Sequence, residues 1–169
     1  MLKKFLLVSG DFFGIQNFIF SDSGKAGKNR TKILRGRSFA VSLSSELLAD
    51  MLCREIGIPS SSVVLNAAGK FTIIAPNTES ARRAVTDVED RANGWLMQIA
   101  YGENAIGLVC QDASAADMVH GGFADIWDRL SQKMERKKLR KIDLTKVGGT
   151  VEGYLDGFRN DLAHPLCPF

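Results

Sequence analysis

Hydrophobic and polar positions along the chain predict four β-strands. The segment 4–9, which is continuously apolar from Phe5 to Val8, is typical of a buried first strand. Two short apolar segments, 63–65 and 71–74, flank a turn with a glycine near its tip and predict a β-hairpin. A last strand is predicted over 105–110. The segment between the first strand and the first helix ends in Ser, Gly, Lys and Asn over 21–31, which indicates a loop.

Apolar residues at three- and four-residue spacing predict three helices. The first runs from about Arg37 to Ile56, the second from a cap at Asn77 or Thr78 to Tyr101, and the third from Gly122 to Leu139. The apolar face of the first helix is predicted to consist of Ala40, Leu43, Leu47, Met51 and Leu52. Both tryptophans, Trp95 and Trp127, are expected in the core.

The order strand, helix, strand, strand, helix, strand, helix predicts an α+β, ferredoxin-like fold. A βαββαβ unit gives one antiparallel sheet with helices on one face, and an extra C-terminal helix and an irregular tail follow it. We expect one domain over 1–142 and a tail over 143–169. Polymerase palms, nucleotidyl cyclases and RNA-binding modules share this fold, so the fold alone does not select a function.

Composition narrows the class of protein. The chain has 169 residues, which suits a single domain, and 45% of them are hydrophobic, as in globular proteins. No apolar run approaches the roughly 20 residues that span a bilayer, so we expect no contact with a membrane. The three cysteines are far apart and cannot all pair, which favours a reducing, cytoplasmic location.

Basic residues are concentrated in two patches although the net charge is only +3. Six of them lie in 25–37 with no acid among them, and six more lie in 133–141 against Glu135. Such patches favour phosphate or nucleic-acid partners. A solvated loop and a solvated helix end remain the alternative.

Candidate catalytic motifs are incomplete. A palm-type cyclase needs carboxylates at the end of the first strand and in the central hairpin, because the pair holds two metal ions. Asp11 occupies the first place, but the hairpin residues 66–69 include no acid. The lysine- and glycine-containing segment 24–28 lacks the spacing of a phosphate-binding loop. We therefore expect no phosphoryl transfer by this domain alone.

Two segments indicate a particular family in addition to the fold. They are Gly10–Phe20, with the sequence GDFFGIQNFIF, and Leu34–Phe39, with the sequence LRGRSF. Together they resemble the "D-x-S-G-I-Q-x-F-I … L-R-x-R-S-F" signature of the first palm domain, a degenerate GGDEF- or cyclase-like domain. That domain belongs to the large signature subunit of type III CRISPR–Cas effector complexes, the Csm-type CRISPR polymerase family. The resemblance covers about 4–142.

The resemblance implies a parent protein with a separate HD nuclease, two palms, a zinc element and a helical C-terminal domain. In such a parent, the second palm converts ATP into cyclic oligoadenylates in an RNA-guided antiviral complex. The first palm is non-catalytic and contributes a scaffold and half of the ATP pocket. The implied cofactors are ATP and Mg in the full-length parent, and none is required by the fragment alone. The implied partners are the second palm, other complex subunits, and crRNA and target RNA.

The resemblance also implies site residues. Phe13 stands where the family has Ser, so we expect no hydroxyl contact there. The chain is expected to be a fragment that stops inside a zinc knuckle, of which Cys167 would be the first metal ligand. Arg37 and Ser38 are expected at the start of a helix, where backbone N–H groups favour a phosphate. The nucleotide-binding candidates are Asp11, Phe12, Gly14, Ile15, Arg37, Ser38, Ala67, Ala68 and Gly69, and the candidates for phosphate or nucleic-acid contact are Lys25, Lys28, Arg30, Lys32, Arg35, Arg136, Lys137 and Lys138.

Two other functions compete with the first palm. A stand-alone ferredoxin-like RNA-binding module would bind RNA tightly by itself, with a steep dependence on salt. An active diguanylate-type cyclase is disfavoured by the missing hairpin acids. An isolated palm would instead bind ATP weakly, and its unpaired interface could drive self-association.

Overall fold

The computed structural model describes residues 2–20, 29–100, 103–119 and 121–140. Cys167, Lys25, Lys28 and the predicted tail over 143–169 lie outside the described residues. The described residues form four strands and four helices of six residues or more, in the order β1 Phe5–Phe13, α1 Ile15–Phe20, α2 Arg30–Ile56, β2 Val63–Ala67, β3 Lys70–Pro76, α3 Glu79–Ala100, β4 Ala105–Ala113 and α4 Gly122–Lys138. Within these ranges, no helix combines the length and apolar character needed to cross a bilayer.

The sheet confirms the predicted ferredoxin-like fold. Its four strands lie in the order β2-β3-β1-β4, and every pairing is antiparallel. Strand β1 is central and longer than predicted, because Gly10–Phe13 continue the ladder. Asp11 pairs with Lys70 on one side and with Gly107 on the other.

Alternate residues of β1 enter two different layers, as the two-residue period of a strand requires. Leu6, Val8 and Phe12 belong to the core beneath α2 and α3. Leu7 and Phe13 face the opposite side, where they pack with residues of α4. The extra helix therefore covers the second face of the sheet, and β1 is buried on both faces.

Helix α2 begins seven residues before the predicted start, and its buried face differs from the prediction. Gly36 lies inside the helix, where a glycine costs only about 1 kcal/mol relative to alanine. Leu43 and Leu47, expected in the core, are 40% and 54% exposed. The buried residues of α2 are Val41, Ser45, Leu48, Ala49, Leu52 and Cys53.

The prediction for the tryptophans is wrong for Trp95, which is 54% exposed. Its ring lies at an apolar groove of about 310 Å³ between α2 and α3, which Leu47 and Met51 also line. Trp127 is half-buried against the α4 side of the core and contacts the Phe123 ring. The apolar stripe that predicts α3 is buried at Ala81, Ala84, Val85, Val88, Ala92 and Leu96.

Side chains cap the outer edge of β4. The Asn93 amide donates to the Ile106 carbonyl and accepts from the Ile106 N–H. Glu89 accepts the N–H of Leu108, and the Lys133 ammonium donates to the Cys110 carbonyl. Residues 106, 108 and 110 alternate along the strand, so these contacts occupy backbone groups that another strand would need.

Gly10 lies where the central strand passes closest to its neighbours. A Cβ at this position would overlap the Phe71 ring and lie 2.9 Å from Leu108 Cδ2. We expect Gly10→Ala to lower the free energy of unfolding by about 1–3 kcal/mol, because a packed core has no room for the added carbon. Urea denaturation measures the change.

Gly94→Ala is the matched control, because nothing lies within 4 Å of a Cβ at Gly94 in α3. It should raise stability by about 0.5–1 kcal/mol through helix propensity. Equal effects of the two substitutions would contradict the close packing at Gly10.

Candidate functional site

The candidate site lies at one end of the sheet, where β1 ends beside the turn that joins β2 to β3. The Phe12 N–H donates to the Gly69 carbonyl at 3.0 Å, which ties the strand end to the hairpin tip. Ala68 and Gly69 form this tip with φ of 54° and 81°, the left-handed conformation of a tight hairpin turn. The C-terminal turn of α4 reaches the same end through Lys138. The fold thus brings together three segments that are far apart in sequence.

Asp11 is the central charged group of the site. It is 3% exposed, and its Oδ2 lies 3.1 Å from Lys138 Nζ and 3.6 Å from Lys70 Nζ. Among the described residues, Oδ2 accepts no hydrogen bond of good geometry, so both contacts are ion pairs. Two ammonium groups thus offset the cost of burying one carboxylate.

Glu135 extends this ion-pair network. Lys138 Nζ donates to Glu135 Oε1 at 2.8 Å. That hydrogen bond, followed by the contact with Asp11 and the charges of both carboxylates, raises the pKa of Lys138 above its usual range. The same contact lowers the pKa of Glu135. Lys138 therefore stays protonated at neutral pH and keeps its charge beside Asp11.

The pocket around Asp11 is small. It has a volume of about 180 Å³ and lies between the sheet and α4, with the hydroxyl residues Ser9 and Thr72 among its lining. Ligand pockets usually exceed roughly 300 Å³. The pocket can therefore accept only part of a nucleotide from within this chain.

Mg²⁺ does not fit the donor set at Asp11. Lys138 and Lys70 occupy the space beside Oδ2 that a divalent cation would take, and the hairpin tip supplies no second carboxylate. In the described ranges, no three His, Cys, Asp or Glu side chains converge to hold a metal ion. No step through a metal ion is derived for this chain.

The other candidates in the first segment lie on different sides of the strand. Phe12 points away from Asp11, contacts the Phe18 ring at 5.9 Å and lines the groove between α2 and α3. Gly14, with φ of 82°, turns the chain into α1, and its carbonyl accepts from the Phe18 N–H and from the Asn104 amide. Ile15 is half-buried against the core.

The small residues of the hairpin tip have different surroundings. A Cβ at Gly69 would lie 2.8 Å from Ile15 Cδ1 and 2.9 Å from Val41 Cγ1, so packing explains the glycine. Ala67 and Ala68 are exposed and leave the surface beside the tip unobstructed. Only these two tip residues are accessible to a ligand.

The predicted position of Arg37 and Ser38 at a helix start is wrong. Helix α2 begins at Arg30, so both residues lie within the helix, where backbone N–H groups bond to carbonyls of the preceding turn. The Arg37 guanidinium donates to the Ile19 carbonyl at 3.3 Å and joins α2 to α1. The helix dipole of α2 therefore offers no phosphate site at these two residues.

The predicted phosphate contacts separate into three surfaces. Arg30, Lys32 and Arg35 are exposed on the first two turns of α2. Lys138 faces Asp11 inside the site. Arg136 and Lys137 line a different groove, beside β4. Arg136, Lys137 and Lys138 are thus adjacent in sequence but do not face one surface.

Sequence reasoning missed Lys70 as a partner of Asp11. The signal was present, because Lys70 closes the hairpin turn and pairs with Asp11 once β1 is extended by a few residues. Phe13 stands where the family signature has a serine, and it is buried against Met134 of α4. Its ring fills the space above Gly107, where a Cβ would overlap it.

These observations define a ferredoxin-like α+β domain. At one end of its sheet, the carboxylate of Asp11 is paired with two lysines and lies beside a hairpin turn that contains no acidic residue. The model of the family described as "Csm1 subunit domain B" matches residues 4–148. The chain belongs to this family, a domain of the large subunit of type III CRISPR systems.

Curated relatives include two proteins described as "CRISPR system single-strand-specific deoxyribonuclease Cas10/Csm1 (subtype III-A)". The Thermococcus onnurineus protein is 32% identical over 98% of this chain and 21% of its own length. The Enterococcus italicus protein is 30% identical over 85% of this chain and 19% of its own length. The chain therefore spans about one fifth of the relatives that it matches.

Solved structures show the same fold. Csm1 of T. onnurineus has a TM-score of 0.74 at 33% identity, covering 82% of this chain and 20% of that one. A Csm1–Csm4 cassette in complex with cA4 has a TM-score of 0.75 at 31% identity, covering 84% and 20%. The apo cassette has a TM-score of 0.76 at 29% identity, covering 91% and 21%.

The ion pairs of Asp11 make a testable contribution to stability. We expect Asp11→Asn to lower the free energy of unfolding by about 1–3 kcal/mol, because Lys70 and Lys138 lose their buried counter-charge. The loss should lie at or below the 3–5 kcal/mol of a fully buried pair, since both lysines are a third or more exposed. Chemical denaturation at neutral pH measures it.

Asp50→Asn is the control for loss of one negative charge. Its pair with Arg54 lies on the exposed surface of α2, so the change should stay within about 0.5 kcal/mol. Equal losses of stability in the two variants would mean that the ion pairs of Asp11 stabilise the fold no more than an exposed pair does.

Proposed function

We propose that this chain is the first, non-catalytic palm domain of a type III CRISPR large subunit. In this role it contributes a scaffold and half of the ATP pocket for cyclic oligoadenylate synthesis in an RNA-guided antiviral complex. The observation that carries the proposal is the neutralised Asp11 beside a hairpin without acids. The family membership and the small pocket support it.

The second palm of the parent protein would supply the carboxylates, the Mg²⁺ and the reacting groups. This chain would hold part of the nucleotide against the exposed hairpin tip and the ammonium of Lys70. Lys70 is exposed at the rim of the Asp11 pocket, so its charge can reach a phosphate placed there. The relatives' structures with ATP and with cA4 support a nucleotide site in the parent.

The proposed partners follow from the same relatives. The solved cassettes contain Csm4, so a Csm4-like subunit is a proposed neighbour of the parent. The second palm, crRNA, target RNA and the cytoplasmic location stay predictions. Self-association of the isolated chain also stays one, and the exposed Trp95, Leu43 and Leu47 provide apolar surface for it.

A domain exchange tests the division of labour. The matching fifth of the T. onnurineus protein is replaced by this chain, and products formed from ATP and Mg²⁺ are separated by chromatography. We expect no product from the 169-residue chain alone and cyclic oligoadenylates from the chimera assembled with Csm4. Replacing the acids of the chimera's second palm by amides is the control and should abolish the product.

Two outcomes would contradict the proposal. Product formed by the chain alone and lost in Asp11→Asn would make this domain catalytic. A chimera that folds and binds Csm4 but does not bind ATP in calorimetry would show that this chain does not contribute half of the ATP pocket.

The hairpin tip gives a sharper test in the same chimera. We expect Ala67→Trp to raise the KM for ATP at least about tenfold, equivalent to ~1.4 kcal/mol of binding, because the ring would fill the space beside the tip. Val64→Trp is the matched control at another exposed position of β2 and should leave KM unchanged. An equal effect of both would place the nucleotide elsewhere.

A further inference from the structure

A second concave surface lies on the outer side of α4, away from Asp11. It has a volume of about 630 Å³ and is floored by residues 108–110 of β4. Its wall is formed by Lys133, Arg136, Lys137 and Arg140, together with Leu139. We call this surface the β4 groove.

The four cations of the β4 groove share one side of α4 and the turn that follows it. Their spacing is i, i+3, i+4 and i+7, the pattern that places helical residues on one face. Glu135, the acid within this stretch, pairs with Lys138 at the Asp11 site and does not line the groove. The groove therefore presents positive charge to a partner.

Two of the cations are held by contacts within the chain, and the other two are free to contact a partner. Lys133 donates to the Cys110 carbonyl at 2.7 Å, and Lys137 pairs with Glu89 at 2.8 Å. Arg136 and Arg140 are exposed, and over the described ranges neither forms an ion pair. They are four residues apart, or about 6 Å along a helix axis at 1.5 Å per residue. A guanidinium binds phosphate oxygens through two parallel N–H donors.

The capped edge of β4 excludes a peptide strand as the partner. Both backbone groups of Ile106 bond to Asn93, the Leu108 N–H bonds to Glu89, and the Cys110 carbonyl bonds to Lys133. The groove thus offers positive charge and apolar side chains but few backbone groups. Leu139, 88% exposed at its rim, can contact sugars and bases that a single strand leaves open.

We propose that the β4 groove binds the sugar–phosphate backbone of a single-stranded nucleic acid, with Arg136 and Arg140 as the phosphate contacts. Lys133 adds positive potential from its fixed position, whereas Glu89 balances the charge of Lys137. Lys138 takes no part, because it faces Asp11. The proposal does not depend on the ATP half-pocket, which lies on the other side of α4.

The test measures fluorescence anisotropy of labelled 20-nucleotide poly(U) RNA and oligo(dT) DNA with the full 169-residue chain across a salt series. Two phosphate contacts give a log–log slope of about −1.4, at roughly −0.7 per contact on a single strand. Arg136→Gln/Arg140→Gln should weaken binding at least about tenfold and remove most of the slope.

The control is Arg30→Gln/Arg35→Gln, which removes the same charge from exposed positions of α2. It should change affinity by less than about threefold, and circular dichroism checks that both variants are folded. Equal affinity for RNA and DNA supports recognition of phosphates, and a preference for either one supports the groove with added contacts to the sugar.

Three results would overturn the proposal. The first is absence of binding at low salt. The second is an equal loss in both double variants, which would mean an effect of net charge alone. The third is displacement of the RNA by poly-glutamate at an equal concentration of charge, which would mean an acidic protein as the partner.

Discussion

Burial of strand β1 on both faces is the constraint that shapes the rest of the molecule. The strand has a paired neighbour on each side and a helical layer above and below it. Every second residue must therefore suit a different environment. Leu6 and Val8 enter the larger core, and Leu7 enters the smaller core beneath α4. Gly10 and Gly107 are small because aromatic rings of neighbouring strands occupy the space above them.

The same constraint explains the electrostatics of the sheet end. Asp11 falls on the α4 side of β1, so its carboxylate must be buried or paired. Lys138 and Lys70 approach it from a helix and from the adjacent strand, and its one charge is balanced by groups from these two elements. Helix α4 consequently has two polar faces with different tasks. One face carries Lys138, which balances the charge of Asp11. The other face leaves Arg136 and Arg140 exposed beside the outer edge of the sheet.

Much of this fold could be predicted from local patterns, and the site only in part. The hairpin and β4 followed from short apolar segments and a turn with a glycine near its tip. The start of α2 did not, because a glycine- and lysine-rich stretch before Arg37 resembles a loop. The exposure of Trp95 could not be predicted either. The apolar stripe of α3 indicates which face of the helix packs inward, but it does not indicate how much of that face α2 covers. The Asp11–Lys138 pair joins residues 127 positions apart in the numbering, and no local pattern encodes such a contact.

The alternation within β1 also limits how this family can vary in length. Inserting or deleting one residue between Leu6 and Phe13 would exchange the two faces for the rest of the strand. A deletion before Asp11, for example, would turn this carboxylate into the apolar layer beneath α2 and α3 and place Phe12 opposite Lys138. Homologous chains should therefore conserve the number of residues in β1 more strictly than their identity, and place their insertions in the connections between elements.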